Sequence, residues 1–327
     1  MTTLAMPRTE RAAVGWTIGA VLIVLVGAGV AWFSATFPAD MPSWGPWQFS
    51  WVEYLASALG LLWYARGVAR LAPTERPSPW RIGCYATGVV GMYIMVQTRF
   101  TYIALHLFMA TQGQQFVLHD IGPFLVALSW PGAALAAGMP RPLLRICRAR
   151  PVLAVVRAVQ QPVFATVLFV VLLIGQVVPV VLLWVMLDWR LFDAMNVLMA
   201  VEGLFFWCLV LDPRPKPPAP IAFSTRMIIA FLAMLPVIPI GAYITFTGRD
   251  LYSYYTLCGR LYPLISASYD QLVGGIIIWI PGSFIGSVAV LLSLNLMRRV
   301  EDRRDRVQKT YVQVGRLRVD PSAWTGR

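Results

Sequence analysis

Long apolar stretches recur along the chain at about 15–34, 51–66, 81–98, 116–138, 160–187, 191–211, 222–247 and 271–297. Short segments rich in proline or arginine separate them. A helix that crosses a bilayer needs roughly 20 apolar residues, and these runs are of that order. The pattern predicts an all-α, polytopic integral membrane bundle of about eight transmembrane helices, seven being the other count allowed. Residues 1–327 then form a single transmembrane domain: a cytoplasmic N-terminus over 1–14, the helical bundle over 15–297, and a basic cytoplasmic tail over 298–327. Segment 99–115 carries Arg99, Gln112, Gln114 and Gln115 and is too polar to span. It reads as an interfacial or re-entrant piece on the outer side, leading into the fourth helix. There are no internal repeats and no second domain.

Charge orients the bundle. If the N-terminus is cytoplasmic, 23 of the 27 basic residues fall on the inner side, and only Arg99, Arg190, Arg249 and Arg260 fall outside. Such a split is the positive-inside pattern, and it predicts both ends in the cytoplasm and an even helix count. The net charge of +12 is therefore accounted for by topology, and nucleic acid is not expected as a partner. Trp44, Trp47, Trp51, Trp189, Tyr252, Tyr254 and Tyr255 fall in the outer connections, where an interfacial aromatic belt belongs. A charged share of 13% is half the soluble norm of about 25%. Arg8, Glu10 and Arg11 precede a first run without a small-residue cleavage site, so that run reads as a retained helix. The multi-pass chain belongs in a plasma membrane, in contact with lipid.

Polar groups inside such runs are functional suspects, because each must offset its desolvation. Only two histidines exist, His106 in the interfacial piece and His119 in the fourth helix, with Asp120 beside the latter. Met195 and Met199, four residues apart, share a face of the sixth helix. Imidazole with thioether suits Cu(I), while the same residues are also ordinary helix packing. Glu202, near mid-bilayer, reads as a proton or ion relay or as an interhelical hydrogen-bond donor. Asp270 and Gln271 open the last helix, where an acidic residue is favoured by the helix dipole. Cys258 is the one outer cysteine, too far from Cys84, Cys147 and Cys208 for a disulfide. No G-x-S-x-G, Walker loop or H-E-x-x-H is present, so an enzyme is not expected.

The run Asp270-Gln271-x-x-Gly274-x-x-x-x-Trp279-x-Pro281-Gly282 resembles the closing helix of the CtaG family of bacterial membrane proteins. Phe116-x-x-His119 with Pro131 and Gly138-Met139-Pro140 resembles that family's histidine-bearing helix, and Gly203-x-Phe205-Phe206-Trp207 its Gly-Leu-x-Phe-Trp segment. The resemblance covers about residues 50–295. It implies an assembly factor for a haem-copper cytochrome c oxidase in a bacterial inner membrane, handling copper at the outer face and working with oxidase subunits or copper chaperones. The metal ligands it points to are His119, His106, Met195 and Met199, with Asp120, Asp270 and Gln271 as the surrounding shell. The chain departs from the family pattern. Pro123, or Gln115 in another register, stands where a second histidine is expected. Met195, Asn196 and Met199 stand where a later one is expected. Either thioethers replace imidazoles as copper ligands, or a scaffold remains without metal. Two other readings stay open. One is a transporter of a small cation or metabolite past Glu202 and Asp120, which the absence of paired discontinuous segments disfavours. The other is a structural subunit of a membrane complex. Both a monomer and a homo-oligomer are compatible with the sequence.

Overall fold

The computed structural model describes residues 8–257, 259 and 261–313; Cys258, Arg260 and the end of the basic tail lie outside the described residues. Among the described residues helices account for 79%, and no strand occurs. In chain order the helices begin with α1 (Arg8–Thr36), α2 (Trp51–Arg70) and α3 (Pro79–Gln97). Next come α4 (Phe100–His106), α5 (Phe108–Gln115), a π-helical turn (Phe116–Ile121), α6 (Gly122–Ser129) and α7 (Gly132–Gly138). The middle holds α8 (Arg141–Cys147), α9 (Arg150–Val159), α10 (Pro162–Val177), α11 (Pro179–Leu187) and α12 (Trp189–Val210). The chain closes with α13 (Phe223–Met234), α14 (Val237–Phe246), α15 (Tyr254–Leu257) and α16 (Ala267–Gln313).

Among the described residues four stretches are long and apolar enough to cross a membrane: Trp16–Thr36, Trp189–Val210, Phe223–Phe246 and Ala267–Arg306. Two bent pairs raise the count to six if each is one span. Prolines set most of the breaks. A residue before proline is pushed out of the α region, and so Val178 is extended and the apolar run 160–187 divides into α10 and α11. Trp130, left-handed at φ 53°, and Pro131 turn α7 by 78° from the helix before it. The expected run 116–138 is therefore two segments.

The polar segment 99–115 corrects the sequence reading more deeply. Its second half, α5, continues without interruption through the π turn into α6, so the helix starts at Phe108 rather than near residue 116. Gln112, Gln114 and Gln115 are buried along it. They are tolerable there because other helices supply amide and carbonyl partners, which no local pattern can reveal.

This Phe108–Ser129 helix is the axis of the bundle, with α3, α12 and α16 packed around it. The main core lies between it and α10, α12, α13 and α16, built on Phe124, Phe169, Phe206, Trp207, Ile229 and Ile285. At the opposite end from α5, the fully buried Arg226 donates to the carbonyls of Asp212, Arg214 (2.8 Å) and Ile221 (2.9 Å). One guanidinium thereby satisfies three backbone acceptors and holds the proline-rich connection 211–221 against α13.

The closing helix shows what its signature residues do. Asp270 accepts from the backbone N–H groups of Phe108 (3.0 Å) and Met109 (2.8 Å), capping α5 from 162 and 161 residues away. Gln271 accepts from Leu251 N (2.8 Å) and donates to the carbonyls of Ile244 (3.2 Å) and Arg249 (3.0 Å). Gly274 admits the Phe108 ring, and Trp279 lies against Gly241 with its Nε1 donating to Thr245 Oγ1 at 3.3 Å. The signature is a lock between α5, α14 and α16. Asp270→Ala leaves two buried N–H groups uncapped, and a loss of about 1–2 kcal/mol is expected in unfolding of the detergent-purified protein.

Candidate functional site

The site begins with a backbone defect. Pro123 has no N–H to give the carbonyl of His119 four residues earlier, and its ring crowds that carbonyl. The helix responds by widening: Gly122 N–H bonds to the Val117 carbonyl, five residues back. Such single π turns are rare and concentrate at functional sites. The released His119 carbonyl accepts from Trp207 Nε1 of α12 at 3.2 Å. Gly203, one turn before Trp207, lies against the same carbonyl. A Cβ there would meet His119 O and sit 3.0 Å from the Pro123 ring. Gly203 and Trp207 of the Gly-x-Phe-Phe-Trp motif thus bring α12 onto the π turn.

This contact places Glu202 against the His119 side chain. Glu202 Oε2 lies 2.9 Å from Nε2, and both side chains are buried, at 2% and 1% exposure. Asp120 Oδ2 lies 3.8 Å from Nδ1, which has no hydrogen-bond partner. A carboxylate at Nε2 draws the N–H to that nitrogen and leaves the Nδ1 lone pair as the imidazole's donor position. The ring stacks on Phe169 of α10 (centroids 4.0 Å apart), and Phe169 stacks in turn on Phe206 (4.0 Å). The imidazole is held by a carboxylate at one edge and by an aromatic face.

Beside it lies a cavity of about 20 Å³, room for one water-sized species, lined among others by Gln112, Gln115, His119, Asp120, Gln176 and Met199. The amides pair across helices: Gln115 donates to Asn196 Oδ1 (2.9 Å) and Gln176 to Gln112 Oε1 (3.0 Å). Of the lining groups, Gln112 Nε2, Gln115 Oε1 and Gln176 Oε1 have no partner. The cavity therefore offers donors and acceptors to a small polar occupant, together with an imidazole nitrogen and a thioether.

Of the residues expected from the sequence, the structure brings together His119, Asp120, Met199 and Glu202. Glu202, set apart in the sequence as a relay or packing group, turns out to be the imidazole's partner. Met195 is half-buried and outside the cavity lining. His106 is engaged within its own helix, Nδ1 lying 2.8 Å from the Tyr102 carbonyl and the ring 4.2 Å from that of Tyr102. Asp270 and Gln271 are occupied with the cap and loop contacts above and do not line the cavity. Depth differs too. His119 follows Phe108 by eleven residues and Glu202 follows Trp189 by thirteen, about 16 and 20 Å along their helices. The pair therefore sits midway along both helices; the sequence reading placed Glu202 there but put His119 only about one turn into its helix, which starts at Phe108 rather than near residue 116. Sequence reasoning missed Gln112, Gln115, Gln176 and Phe169. Two of them had a signal: Gln176 as a lone amide in a long apolar run, and Gln115 as one of the two residues standing where the family resemblance expects a histidine.

Among the described residues no group of three or more His, Cys, Asp or Glu side chains has the arrangement to hold a metal ion. In comparisons with known proteins, a family model described as cytochrome c oxidase caa3 assembly factor matches residues 62–299. No curated protein and no solved structure matches the chain.

Proposed function

Because the chain belongs to the cytochrome c oxidase caa3 assembly factor family, we propose that it serves assembly of a haem-copper oxidase in a bacterial inner membrane by holding Cu(I) between His119 and Met199. The observation that carries this reading is an imidazole fixed at Nε2 by buried Glu202, with Nδ1 free of hydrogen bonds, 3.8 Å from Asp120 Oδ2, beside a small cavity that the fully buried Met199 also lines. Two soft donors suit Cu(I), whereas Mg²⁺ or Ca²⁺ prefers oxygen-rich sites. Glu202 fixes the ring's tautomer and direction, as carboxylates behind metal-bound imidazoles do. Of the residues standing where the family resemblance expects further histidines (Pro123 or Gln115, and Met195, Asn196 and Met199), Gln115 and Met199 line the cavity and Asn196 bonds Gln115, while Pro123 and Met195 do not line it. Bound Cu(I) supplies the metal destined for the oxidase; the protein's own residues hold, orient and desolvate it.

The topology of this reading keeps six spans, with α10 rather than α9 making the crossing of its bent pair, and adds α2 and α3, of 20 and 19 residues. That makes eight, with both termini cytoplasmic. Copper then reaches the cavity from the outer side, and the partners are oxidase subunits or a copper chaperone.

The test is copper bound per purified chain under reducing conditions. Wild type is expected to bind about one Cu(I), and His119→Gln or Met199→Leu to abolish it. Glu202→Gln, which keeps the hydrogen bond but not the charge, is expected to weaken binding about 10–100-fold. A wild-type protein that binds no copper overturns the metal reading and leaves a scaffold. Undiminished oxidase assembly in cells lacking the protein overturns the assembly role itself.

A further inference from the structure

Between α7 and α10 the chain runs through α8 and α9, which the assembly reading does not use. Neither helix has a buried residue. Arg141, Arg145, Arg148, Arg150 and Arg157 are all exposed, and no acidic residue occurs between Asp120 and Asp188. None of the ion pairs among the described residues involves these arginines; Arg157 Nε turns to the Leu153 carbonyl of its own helix, at 3.1 Å.

Along α9, at 100° per residue, Arg150 and Arg157 fall on one side. Val152, Val155, Val156 and Val159 fall on the other. That apolar side is only partly covered by the protein: Val156 and Val159 are half-buried, but Val152 and Val155 are 36% and 63% exposed, and Ile146 of α8 is 60% exposed. The axis of α9 is bent by 68° from that of α10. If α10 crosses the bilayer, this bend directs α9 closer to the membrane plane than to its normal, where valines can face acyl chains and arginines the headgroups.

We propose that α8 and α9 form an in-plane amphipathic anchor that binds the anionic headgroups of the membrane leaflet. The occupant is identified by complementarity. An exposed valine face calls for hydrocarbon, and a run of five unpaired arginines without a carboxylate calls for phosphate-bearing anions at its edge. Arginine suits the role because its planar fork binds phosphate in two places. The anchor braces the turn into α10, whose Phe169 carries the His119 ring, so lipid composition gains a lever on the geometry of the buried site.

The experiment uses the full chain, with Cys84, Cys147, Cys208 and Cys258 replaced by serine and Val155→Cys carrying an environment-sensitive fluorophore. The protein is reconstituted in nanodiscs of phosphatidylcholine alone, or with phosphatidylglycerol added. The label is expected to be quenched by nitroxide on the lipid chains and protected from aqueous iodide. On purification, wild type is expected to retain phosphatidylglycerol over phosphatidylcholine. That preference falls about fivefold or more in the Arg145→Gln/Arg148→Gln/Arg157→Gln variant. The same preference falls for wild type on raising salt, a readout that needs no variant to fold. A label open to iodide and unquenched by lipid overturns the proposal by placing α9 in water. A membrane-buried label with no anionic preference in wild type overturns it equally, leaving the arginines a role in topology alone.

Discussion

His119→Leu is expected to destabilise the protein by about 3–5 kcal/mol, and the double variant His119→Leu/Glu202→Leu by distinctly less. The single change removes the one hydrogen-bond partner of a carboxyl group that is 2% exposed and whose other oxygen, Oε1, already has none. An isolated buried carboxyl must then be desolvated without compensation, or water must enter the bundle. The double change removes the polar group along with its partner and substitutes apolar side chains of similar bulk. The Trp207 bond to the His119 carbonyl survives in both variants, since it is made to backbone, and the stacking on Phe169 is lost in both. The difference between single and double variants therefore isolates the pair. Thermal unfolding of the detergent-purified proteins measures it. Additive losses from the two single substitutions would show that the pair is not coupled.

Gly67→Val is expected to abolish accumulation of folded protein, whereas Gly29→Val leaves it unchanged. A Cβ on Gly67 would fall on the backbone carbonyl of Ala134 in α7, and one on Gly138 would fall on the Trp63 carbonyl in α2. Both obstacles are main chain, so no rotamer change relieves them. Helices α2 and α7 must separate instead, opening the cluster of Tyr64, Tyr85 and Ala134 beside them. Even modest overpacking costs about 1–3 kcal/mol, and a valine against backbone on both sides exceeds it. Gly29, on the exposed α1, has nothing within 4 Å of its would-be Cβ. Protein recovered from membranes, monitored by a fluorescent fusion on size-exclusion chromatography, distinguishes the pair of outcomes. Equal yields would mean that the α2–α7 contact does not carry the fold.

The residues that matched a family pattern were legible, but their work was not. Asp270 is readable as an acidic residue in a first helical turn. Its actual partners, the N–H groups of Phe108 and Met109, belong to another helix far away in sequence. Gly203 and Trp207 were visible as a motif. That they converge on one carbonyl follows only once Pro123 has released it. Gln112, Gln114 and Gln115 misled, because an amide in a lipid-facing helix is costly while an amide between helices is cheap if another polar group meets it. Burial in a neighbour's company is not written in the local pattern.

What the sequence by itself determined is the class of the protein: apolar runs of membrane length mark an all-helical membrane chain, since transfer free energy is a property of each stretch alone. The tertiary structure alone decided which polar groups share a niche: His119 with Glu202, Gln115 with Asn196, Gln176 with Gln112. Hydrogen bonds act over about 3 Å and depend on how helices far apart in sequence rotate and slide against one another. That choice is made by glycines, prolines and ring contacts acting together across the bundle, and no single stretch contains it.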